Sequence, residues 1–100
     1  MEQVKIFDST LYGGGQSPGA SLNIEEKLEI ARLLAQMGVD VIQAGFPISS
    51  PQEFKAVQRL AGEIRECVLC GLARARQEDI DVAVAALKGA AQPRLQIGLG

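Results

Sequence analysis

The 100-residue sequence predicts an α/β fold, in which three helices cover a parallel sheet of four strands. Short runs rich in β-branched and apolar residues alternate with helical stretches, an order typical of parallel sheets. The strands start near residues 4, 39, 67 and 94, and this spacing of about 30 residues matches one βαβ unit. The periodicity leaves two architectures open: a doubly wound sheet with helices on both faces, or a barrel with all helices outside.

The composition of the chain limits the classes of molecule that we expect it to bind. Apolar residues make up 47% of the chain, which supports a packed core rather than a disordered segment. The formal net charge is −2 and no basic stripe occurs, so the sequence does not indicate a nucleic-acid partner. No apolar run is long enough for a bilayer, and the N-terminus lacks the pattern of a secretory signal. We therefore expect a cytoplasmic protein with no membrane partner.

The first repeat carries clear helix signals. Its strand is predicted over residues 4–11, and a loop containing three consecutive glycines follows. Asn23 opens the first helix, and Glu26 lies three residues further on, the spacing of a capping box. Gly38 is placed to end this helix in a left-handed conformation. The inward stripe is predicted from helical spacing to be Ile24, Leu28, Ala31, Leu34 and Ala35.

The second repeat carries helix signals of the same kind, and its strand is predicted over residues 39–45. Ser50 is a good N-cap, and Pro51 suits the first helical position because it needs no backbone donor there. Glu53 is predicted to complete a second capping box with Ser50. The inward stripe of this helix is predicted to be Phe54, Val57, Leu60, Ala61 and Ile64.

The third repeat places a strand at residues 67–72 and a helix at residues 77–88, and a fourth strand follows at 94–100. The helix is predicted to bury Ile80, Ala83, Val84 and Leu87. No helix follows the fourth strand in the sequence. We expect its edge to be covered by the rest of a longer domain or by another chain, because an unpaired strand edge is a template for pairing.

The two cysteines, Cys67 and Cys70, lie in the apolar run of the third strand. Residues three apart on a strand point to opposite faces, with Cα atoms about 10 Å apart. A disulfide needs less than about 7 Å, and a zinc site would need further ligands in a chain that has no histidine. We therefore predict two reduced core cysteines and no metal site.

Six segments spread along essentially the whole chain carry a recognisable pattern. They are FDSTL from residue 7, QSPGA from 16, EEKLEIAR from 25, GVDVI from 38, AGFP from 44 and CGLARAR from 70. In this register they resemble the catalytic barrel of the 2-isopropylmalate synthase family, which includes homocitrate and citramalate synthases. The resemblance implies a half-barrel of four strands and three helices, with residues 1–100 forming the N-terminal half of a TIM-barrel catalytic domain.

The resemblance also implies a chemistry. The family consists of acyl-CoA-dependent transferases, and this branch condenses acetyl-CoA with 2-oxoisovalerate in leucine biosynthesis. A divalent metal polarises the oxo acid there, which is a Lewis-acid role. In the family the loop after the first strand supplies an arginine that stabilises developing negative charge and an aspartate that binds the metal. The other metal ligands come mainly from a His-x-His on a late strand.

This sequence departs from the family where that chemistry lies. The family usually has, in order, arginine, the metal-binding aspartate, glutamate, glutamate and histidine at five positions that here read Tyr12, Gly13, Gly15, Gln43 and Gln96. A hard divalent cation needs several oxygen or imidazole ligands, and none of the inherited positions supplies one. We therefore predict no catalytic residue, no cofactor and no turnover. Our hypothesis is that the chain was altered, by design or by decay, so that the active site was removed and the scaffold was kept.

Two alternatives stay open beside a silent synthase segment. The chain could be a half-barrel scaffold whose property is folding and self-association, so that a homodimer, or the missing C-terminal half, closes the barrel. It could also bind a small anion through the loop at residues 13–15 and Arg74. The segment from Gly14 to Ser21 is spaced like a P-loop, although Ala20 stands where the phosphate-binding lysine would be.

Gln16 and Arg74 are the candidate substrate-binding residues. Gln16 survives from the family loop, and Arg74 follows the third strand on the side where barrel enzymes bind substrate. For Arg74 and Arg76 we favour the simpler interpretation that they are solvated or pair with nearby acids such as Glu78 and Asp79. Asp8 is interpreted as a structural acid, and Asp40 as a residue that begins the second strand.

Overall fold

The computed structural model describes residues 6–8, 11 and 23–98. Four strands form one sheet in the order β1-β2-β3-β4, and every neighbouring pair is parallel. The strands are β1 (Phe7–Asp8), β2 (Val41–Gly45), β3 (Val68–Arg74) and β4 (Pro93–Gly98). The helices are α1 (Ile24–Gln36), α2 (Pro51–Glu63) and α3 (Gln77–Ala86), with a short 3-10 turn at Pro47–Ser49. The predicted parallel α/β half-barrel of four strands and three helices is confirmed.

The predicted start and stop of α1 are both present. The Asn23 side chain accepts a hydrogen bond from the Glu26 backbone at 2.8 Å, and the Glu26 carboxylate accepts one from the Asn23 backbone at 3.0 Å. Gly38 follows the helix with φ of +90°, a conformation that glycine adopts without a steric penalty. Local signals therefore decide where this helix begins and ends.

The start of α2 corrects one prediction. The Ser50 hydroxyl caps the helix by accepting from the Glu53 backbone at 3.1 Å, and Pro51 is its first residue. The Glu53 carboxylate does not return to Ser50. It accepts instead from the Phe46 backbone at 3.0 Å and from the Lys27 ammonium at 3.2 Å. The predicted capping box is wrong because a buried lysine on α1 needs a counter-charge more than Ser50 needs a second partner.

Several predicted strand and helix ends shift by a few residues. The described part of the first strand is Phe7–Asp8, and Leu11 is helical, so the strand predicted to run to residue 11 ends earlier. β3 continues to Arg74 rather than stopping at residue 72. α3 ends at Ala86, two residues before the predicted end. Such shifts are expected, because boundaries depend on tertiary contacts as well as on local pattern.

The core lies between the sheet and the helices, and most of the predicted inward positions fill it. Its fully buried members include Leu11, Leu28, Ile42, Val57, Leu60 and Leu69. The prediction fails at Val84, which is 52% exposed, whereas Asp79 is fully buried. Ala83, Ala86 and Leu87 are buried, so the inward face of α3 is rotated toward Asp79. The acid holds that orientation by pairing with Arg74 at the end of β3.

Both cysteines are unpaired and buried, as predicted. Cys67 belongs to the core beneath the helices, while Cys70 lies on the other face of the sheet, close to Gln96. Burial raises the pKa of both thiols. Of the helices that the structure describes, none combines the length and apolar character that a bilayer crossing requires.

Candidate functional site at the ends of the parallel strands

The candidate site begins on the inner face of the sheet, the face turned away from the helices. Gln43 lies between two residues that pack beneath the helices, Ile42 and Ala44, so its own side chain points to the inner face. Its register partner on β3 is Cys70, whose own partner on β4 is Arg94, and Gln96 lies two residues further along β4 on the same face. The three side chains Gln43, Cys70 and Gln96 are called the amide cluster below.

The amide cluster is joined by its own hydrogen bonds. The Gln43 side-chain nitrogen donates to the Gln96 side-chain oxygen at 2.9 Å. The Cys70 thiol lies 3.8 Å from the same oxygen. These bonds connect three neighbouring strands, and they bring together two of the five positions where the sequence departs from the family pattern.

The chemistry of the amide cluster is neutral. Amide side chains do not exchange a proton near neutral pH, so neither Gln43 nor Gln96 can act as a general acid or base. Burial raises the pKa of the Cys70 thiol, and the nearby Arg94 opposes that rise only in part. The thiol is therefore a poor nucleophile at neutral pH, because the reactive form is the thiolate.

Arg74 lies where β3 ends and is held there by α3. Its Nε donates to Asp79 Oδ2 at 2.7 Å, its Nη2 donates to Oδ1 at 3.3 Å, and its backbone N–H donates to Oδ2 at 3.1 Å. Its guanidinium carbon is 5.7 Å from the centroid of the Phe46 ring, within range of a cation–π contact. These contacts form the Arg74–Asp79 pair, which ties the loops after β2 and β3 to the first turn of α3.

The Arg74–Asp79 pair shifts the pKa of each of its two groups in the direction that favours the charged form. Hydrogen bonds from Arg74 lower the pKa of the Asp79 carboxyl, although burial alone would raise it. The same hydrogen bonds raise the pKa of the Arg74 guanidinium. Both groups are therefore charged across the physiological range, and each largely neutralises the other.

The predicted site residues fall into three groups. Arg74 pairs with a nearby acid, as the simpler interpretation expected, and its role in substrate binding stays a prediction. Gln43 and Gln96 are brought into contact. The remaining candidates lie outside the described residues: Tyr12, Gly13, Gly15, Gln16 and the glycine loop.

The other singled-out charges have mainly local roles. Arg76 is exposed and is the N-cap residue of α3, where its side chain makes no capping hydrogen bond. Asp40 accepts from the Ile6 backbone at 2.7 Å and so fastens β1 to the start of β2. Asp8 is half-buried on β1. Asp40 therefore begins the second strand, as expected from the sequence.

Sequence reasoning missed a second charged contact, the Lys27–Glu53 pair. Both side chains are largely buried, with 9% and 18% exposed. They flank a cleft of about 480 Å³ between the N-terminal ends of α1 and α2. The sequence did carry a signal for this pair. Lys27 lies beside Leu28 and one turn before Ala31, which places it on the inward side of α1, whereas the other long polar and charged side chains of that helix face solvent.

The Lys27–Glu53 pair also explains a glycine. A Cβ placed on Gly45 would lie 2.3 Å from the Glu53 carboxylate oxygen, which is far inside contact distance. The glycine therefore allows the carboxylate to approach the end of β2 and to accept from Phe46. The same contact holds the backbone of Phe46, whose ring lies beneath the Arg74 guanidinium.

The donor set at this site does not fit a divalent metal. Among residues 6–8, 11 and 23–98, no group of three or more His, Cys, Asp or Glu side chains is arranged to hold a metal ion. The two buried acids, Glu53 and Asp79, already bind a cation and a backbone N–H. Neutral amides alone are weak ligands for a hard cation.

The fold and the site define the class to which this chain belongs. Residues 3–99 match the family described as HMGL-like, so the chain is a member of that family, and its sheet is half of a TIM barrel of that kind. Within the family its similarity is to 2-isopropylmalate synthases. It is 54% identical over 97 residues to that of Rhodopirellula baltica and 57% identical over 93 residues to that of Pyrococcus furiosus.

These alignments cover nearly all of this chain and a small part of each relative. They span 97% of this chain and 18% of the R. baltica protein, and 93% and 19% for the P. furiosus protein. The 2-isopropylmalate synthase of Heliobacterium modesticaldum is 56% identical over 94 residues, covering 94% and 18%. The chain therefore spans about a fifth of the length of the curated relatives it matches.

Proposed function

We propose that residues 1–100 are the N-terminal half of a 2-isopropylmalate synthase-like barrel that is catalytically silent in this form. The family reaction would condense acetyl-CoA with 2-oxoisovalerate, a step that needs an activated ketone and a base. The observation that carries the proposal is the contact between Gln43 and Gln96 at 2.9 Å. Two inherited positions where the family usually has an acid and an imidazole hold neutral amides that are joined by this hydrogen bond.

The physical argument is electrostatic. The condensation builds negative charge on the ketone oxygen, and a preorganised cation or donor at that point is typically worth about a hundredfold or more in rate. The nearest described cation at the strand ends, Arg74, is already bound to Asp79 through two of its nitrogens. A guanidinium neutralised in this way offers little to a developing oxyanion.

The test is an assay of the chain with acetyl-CoA, 2-oxoisovalerate and Mg²⁺, Mn²⁺ or Zn²⁺ in turn, following release of free CoA. We expect no release above the rate without protein. The P. furiosus 2-isopropylmalate synthase serves as the positive control in the same cuvette conditions. Metal-dependent CoA release by this chain, absent when 2-oxoisovalerate is omitted, would reject the proposal.

A binding measurement distinguishes a site that binds no substrate from one that binds it but reacts slowly. Isothermal titration with 2-oxoisovalerate, with and without each metal, is expected to give no heat beyond dilution. A saturable heat that depends on the metal would mean that the ligand set survives elsewhere in the chain. A saturable heat with inorganic phosphate alone would instead favour the small-anion alternative, and Arg74→Gln should then remove it.

A further inference from the structure

The short segment between β2 and α2 is packed against several elements of the fold. It consists of Phe46 and the 3-10 turn Pro47–Ser49, and it is called the clasp below. The clasp contacts α2, α3 and β3. It is closed on itself, because the Phe46 carbonyl accepts from the Ser49 hydroxyl at 2.7 Å and from the Ser49 backbone N–H at 3.0 Å. The Pro47 side chain is fully buried, so the clasp is an integral part of the core and its surroundings.

Both charged pairs contact the clasp at one residue, Phe46. Its backbone N–H donates to Glu53 Oε1 at 3.0 Å, while Glu53 Oε2 accepts from the Lys27 ammonium at 3.2 Å. Its ring centroid lies 5.7 Å from the guanidinium carbon of Arg74, which also pairs with Asp79. A single residue therefore connects a buried cation on α1 with a cation at the end of β3.

The backbone of Phe46 has little freedom to separate these two contacts. A residue that precedes a proline is sterically kept out of the helical region, and Phe46 has φ of −117° and ψ of 87°. The Glu53 carboxylate reaches the N–H past Gly45, where an added Cβ would collide with Oε1. A shift of that carboxylate therefore shifts the backbone that carries the ring.

We propose that the clasp couples the two charged pairs, so that Glu53 is a positioning residue for Arg74. Glu53 holds the Phe46 backbone, the Phe46 ring lies beneath the guanidinium, and Asp79 binds the guanidinium through two of its nitrogens. Contacts that share a partner are generally not additive in free energy, whereas those more than about 10 Å apart with no shared partner are. Because Phe46 is the shared partner, losing one pair removes part of what the other contributes.

The coupling joins two places at the strand ends. One is the cleft of about 480 Å³ between α1 and α2, which Lys27 and Glu53 flank. The other is the end of β3, where Arg74 is a candidate substrate-binding residue. Because a coupling free energy is reciprocal, a change in either place alters the other. The inference concerns how the scaffold holds Arg74, and so it goes beyond the proposed silence, which concerns turnover.

A double-mutant cycle tests the coupling. Glu53→Ala removes the acceptor of the Phe46 N–H, and Asp79→Asn weakens the hold on Arg74. Urea denaturation gives the unfolding constants of the unaltered chain, the two single variants and the double variant. We expect the double variant to unfold with a constant about three- to tenfold smaller than the product of the two single effects, a size typical of residues that share a partner. Agreement with the product within about twofold would overturn the proposal.

Two further variants test whether the coupling passes through the clasp. Glu53→Gln gives up the charge but keeps an oxygen that can accept from the Phe46 N–H, so its cycle with Asp79→Asn should be close to additive. Phe46→Leu keeps the backbone N–H and removes the ring beneath Arg74, and in that background Glu53→Ala and Asp79→Asn should also become additive. Coupling that persists undiminished with either variant would contradict a path through Phe46.

Glu63→Gln is the matched control, because Glu63 lies on the same helix as Glu53 and pairs with the exposed Arg59. Its cycle with Asp79→Asn should be additive. Coupling as large as that of Glu53→Ala would mean that any loss of charge on α2 affects Asp79, and the clasp would have no special role.

If a variant fails to fold, as judged by circular dichroism, hydrogen exchange of the unaltered chain decides. The backbone N–H of Phe46 donates to Glu53, and that of Arg74 donates to Asp79. Coupled contacts open together, so these two amide protons should have the same protection and the same dependence on low concentrations of urea. Different protection would contradict the coupling. None of these measurements involves turnover, so this inference and the proposed silence can fail separately.

Discussion

The charged pairs at the strand ends and the amide cluster on the inner face handle polarity in opposite ways. Lys27, Glu53 and Asp79 keep full charges in largely buried places, and Asp79 is paired with the partly exposed Arg74. The amide cluster, a few residues away on the same strands, carries no charge, and its side-chain hydrogen bonds to described residues lie within the cluster. The comparison shows that the charges which fasten helices to loops are paired with opposite charges, while the inner face at Gln43 and Gln96 is neutral.

The physical basis of this contrast is that a buried charge is stable when it has a partner and costly when it lacks one. Glu53 and Asp79 each accept from a cation and from a backbone N–H, which together offset the cost of leaving water. The described side chains bonded to one another at position 43 are instead neutral: the Gln43 and Gln96 amides and the Cys70 thiol. Neutral amides that bond to each other remove that cost at once.

Removing Glu53 should cause the largest loss of stability among single changes at these clusters. Glu53→Ala leaves the buried Lys27 ammonium and the Phe46 N–H without partners, and we expect the free energy of unfolding to fall by about 2–4 kcal/mol. Urea denaturation followed by circular dichroism measures this. Glu25→Ala is the matched control, because that carboxylate is 75% exposed and its ion pair is with the exposed Arg59, and it should be indistinguishable from the unaltered chain.

A Glu53→Ala protein as stable as the Glu25→Ala control would show that Lys27 finds water when its partner is removed. The Lys27–Glu53 pair would then be a surface contact in energetic terms. The comparison between charged and neutral clusters would lose half of its basis, and the close approach at Gly45 would need a different explanation.

The Arg74–Asp79 pair should make the fold sensitive to acid. Hydrogen bonds from Arg74 hold the pKa of Asp79 below its usual value, which in an unfolded chain is about 3.9. The pair's contribution is therefore fully present above about pH 3.9 and is lost as the pH falls through the lower, folded-state pKa. Thermal melts between neutral and acidic pH should show this loss, and Asp79→Asn should flatten it while lowering the melting temperature at neutral pH.

Glu63 provides the comparison for that measurement, since hydrogen bonds from Arg59 also lower its pKa, but on the surface. Glu63→Gln should therefore change the acid dependence far less than Asp79→Asn. Equal slopes for the two variants would indicate that burial of Asp79 adds nothing to the pair.

Local signals in the sequence predicted what depends on neighbours along the chain. The capping box of Asn23 and Glu26 and the turn at Gly38 need only a few consecutive residues, and both are present. The order and direction of the strands followed from the repeat length and were also right. These features are decided within one helix or one βαβ unit.

Contacts between distant residues were not accessible in the same way. The Glu53 carboxylate does not complete the local capping box because it binds Lys27, which lies 26 residues earlier on another helix. Val84 was misplaced because the inward face of α3 is set by Asp79 reaching back to Arg74. The contact between Gln43 and Gln96 spans 53 residues, and each residue by itself is unremarkable in a strand. Knowledge of the family pointed to both positions, and only the structure brought them together.

The amide cluster should contribute much less to stability than either charged pair. Gln43→Leu leaves the Gln96 oxygen with the weak Cys70 thiol as donor and should cost about 1 kcal/mol. The double change Gln43→Leu and Gln96→Leu removes both amides and should be close to neutral, because only the weakly bonding Cys70 thiol loses an acceptor. Urea denaturation of the three proteins measures the difference. A double variant less stable than the single one would mean that the amides bond to something besides each other.

The finest test rebuilds the two family residues in place of the amides. Because the chain has no histidine, Gln96→His introduces one imidazole that NMR can follow without overlap. Adding Gln43→Glu places a carboxylate opposite it, since the two side chains meet at 2.9 Å, and should raise the imidazole pKa by about one unit over the single variant. Equal pKa values in the two proteins would show that the positions are not neighbours in solution.

That shift has a defined sign for stability and a defined limit for function. A raised folded-state pKa stabilises the double variant below the unfolded value of about 6.5, and the gain is lost as the pH rises through the folded pKa. One carboxylate and one imidazole are still two ligands, short of the four to six that zinc or magnesium takes. Adding either metal should therefore leave the imidazole signal unmoved, which would show that restoring the pair restores its charge and not the site.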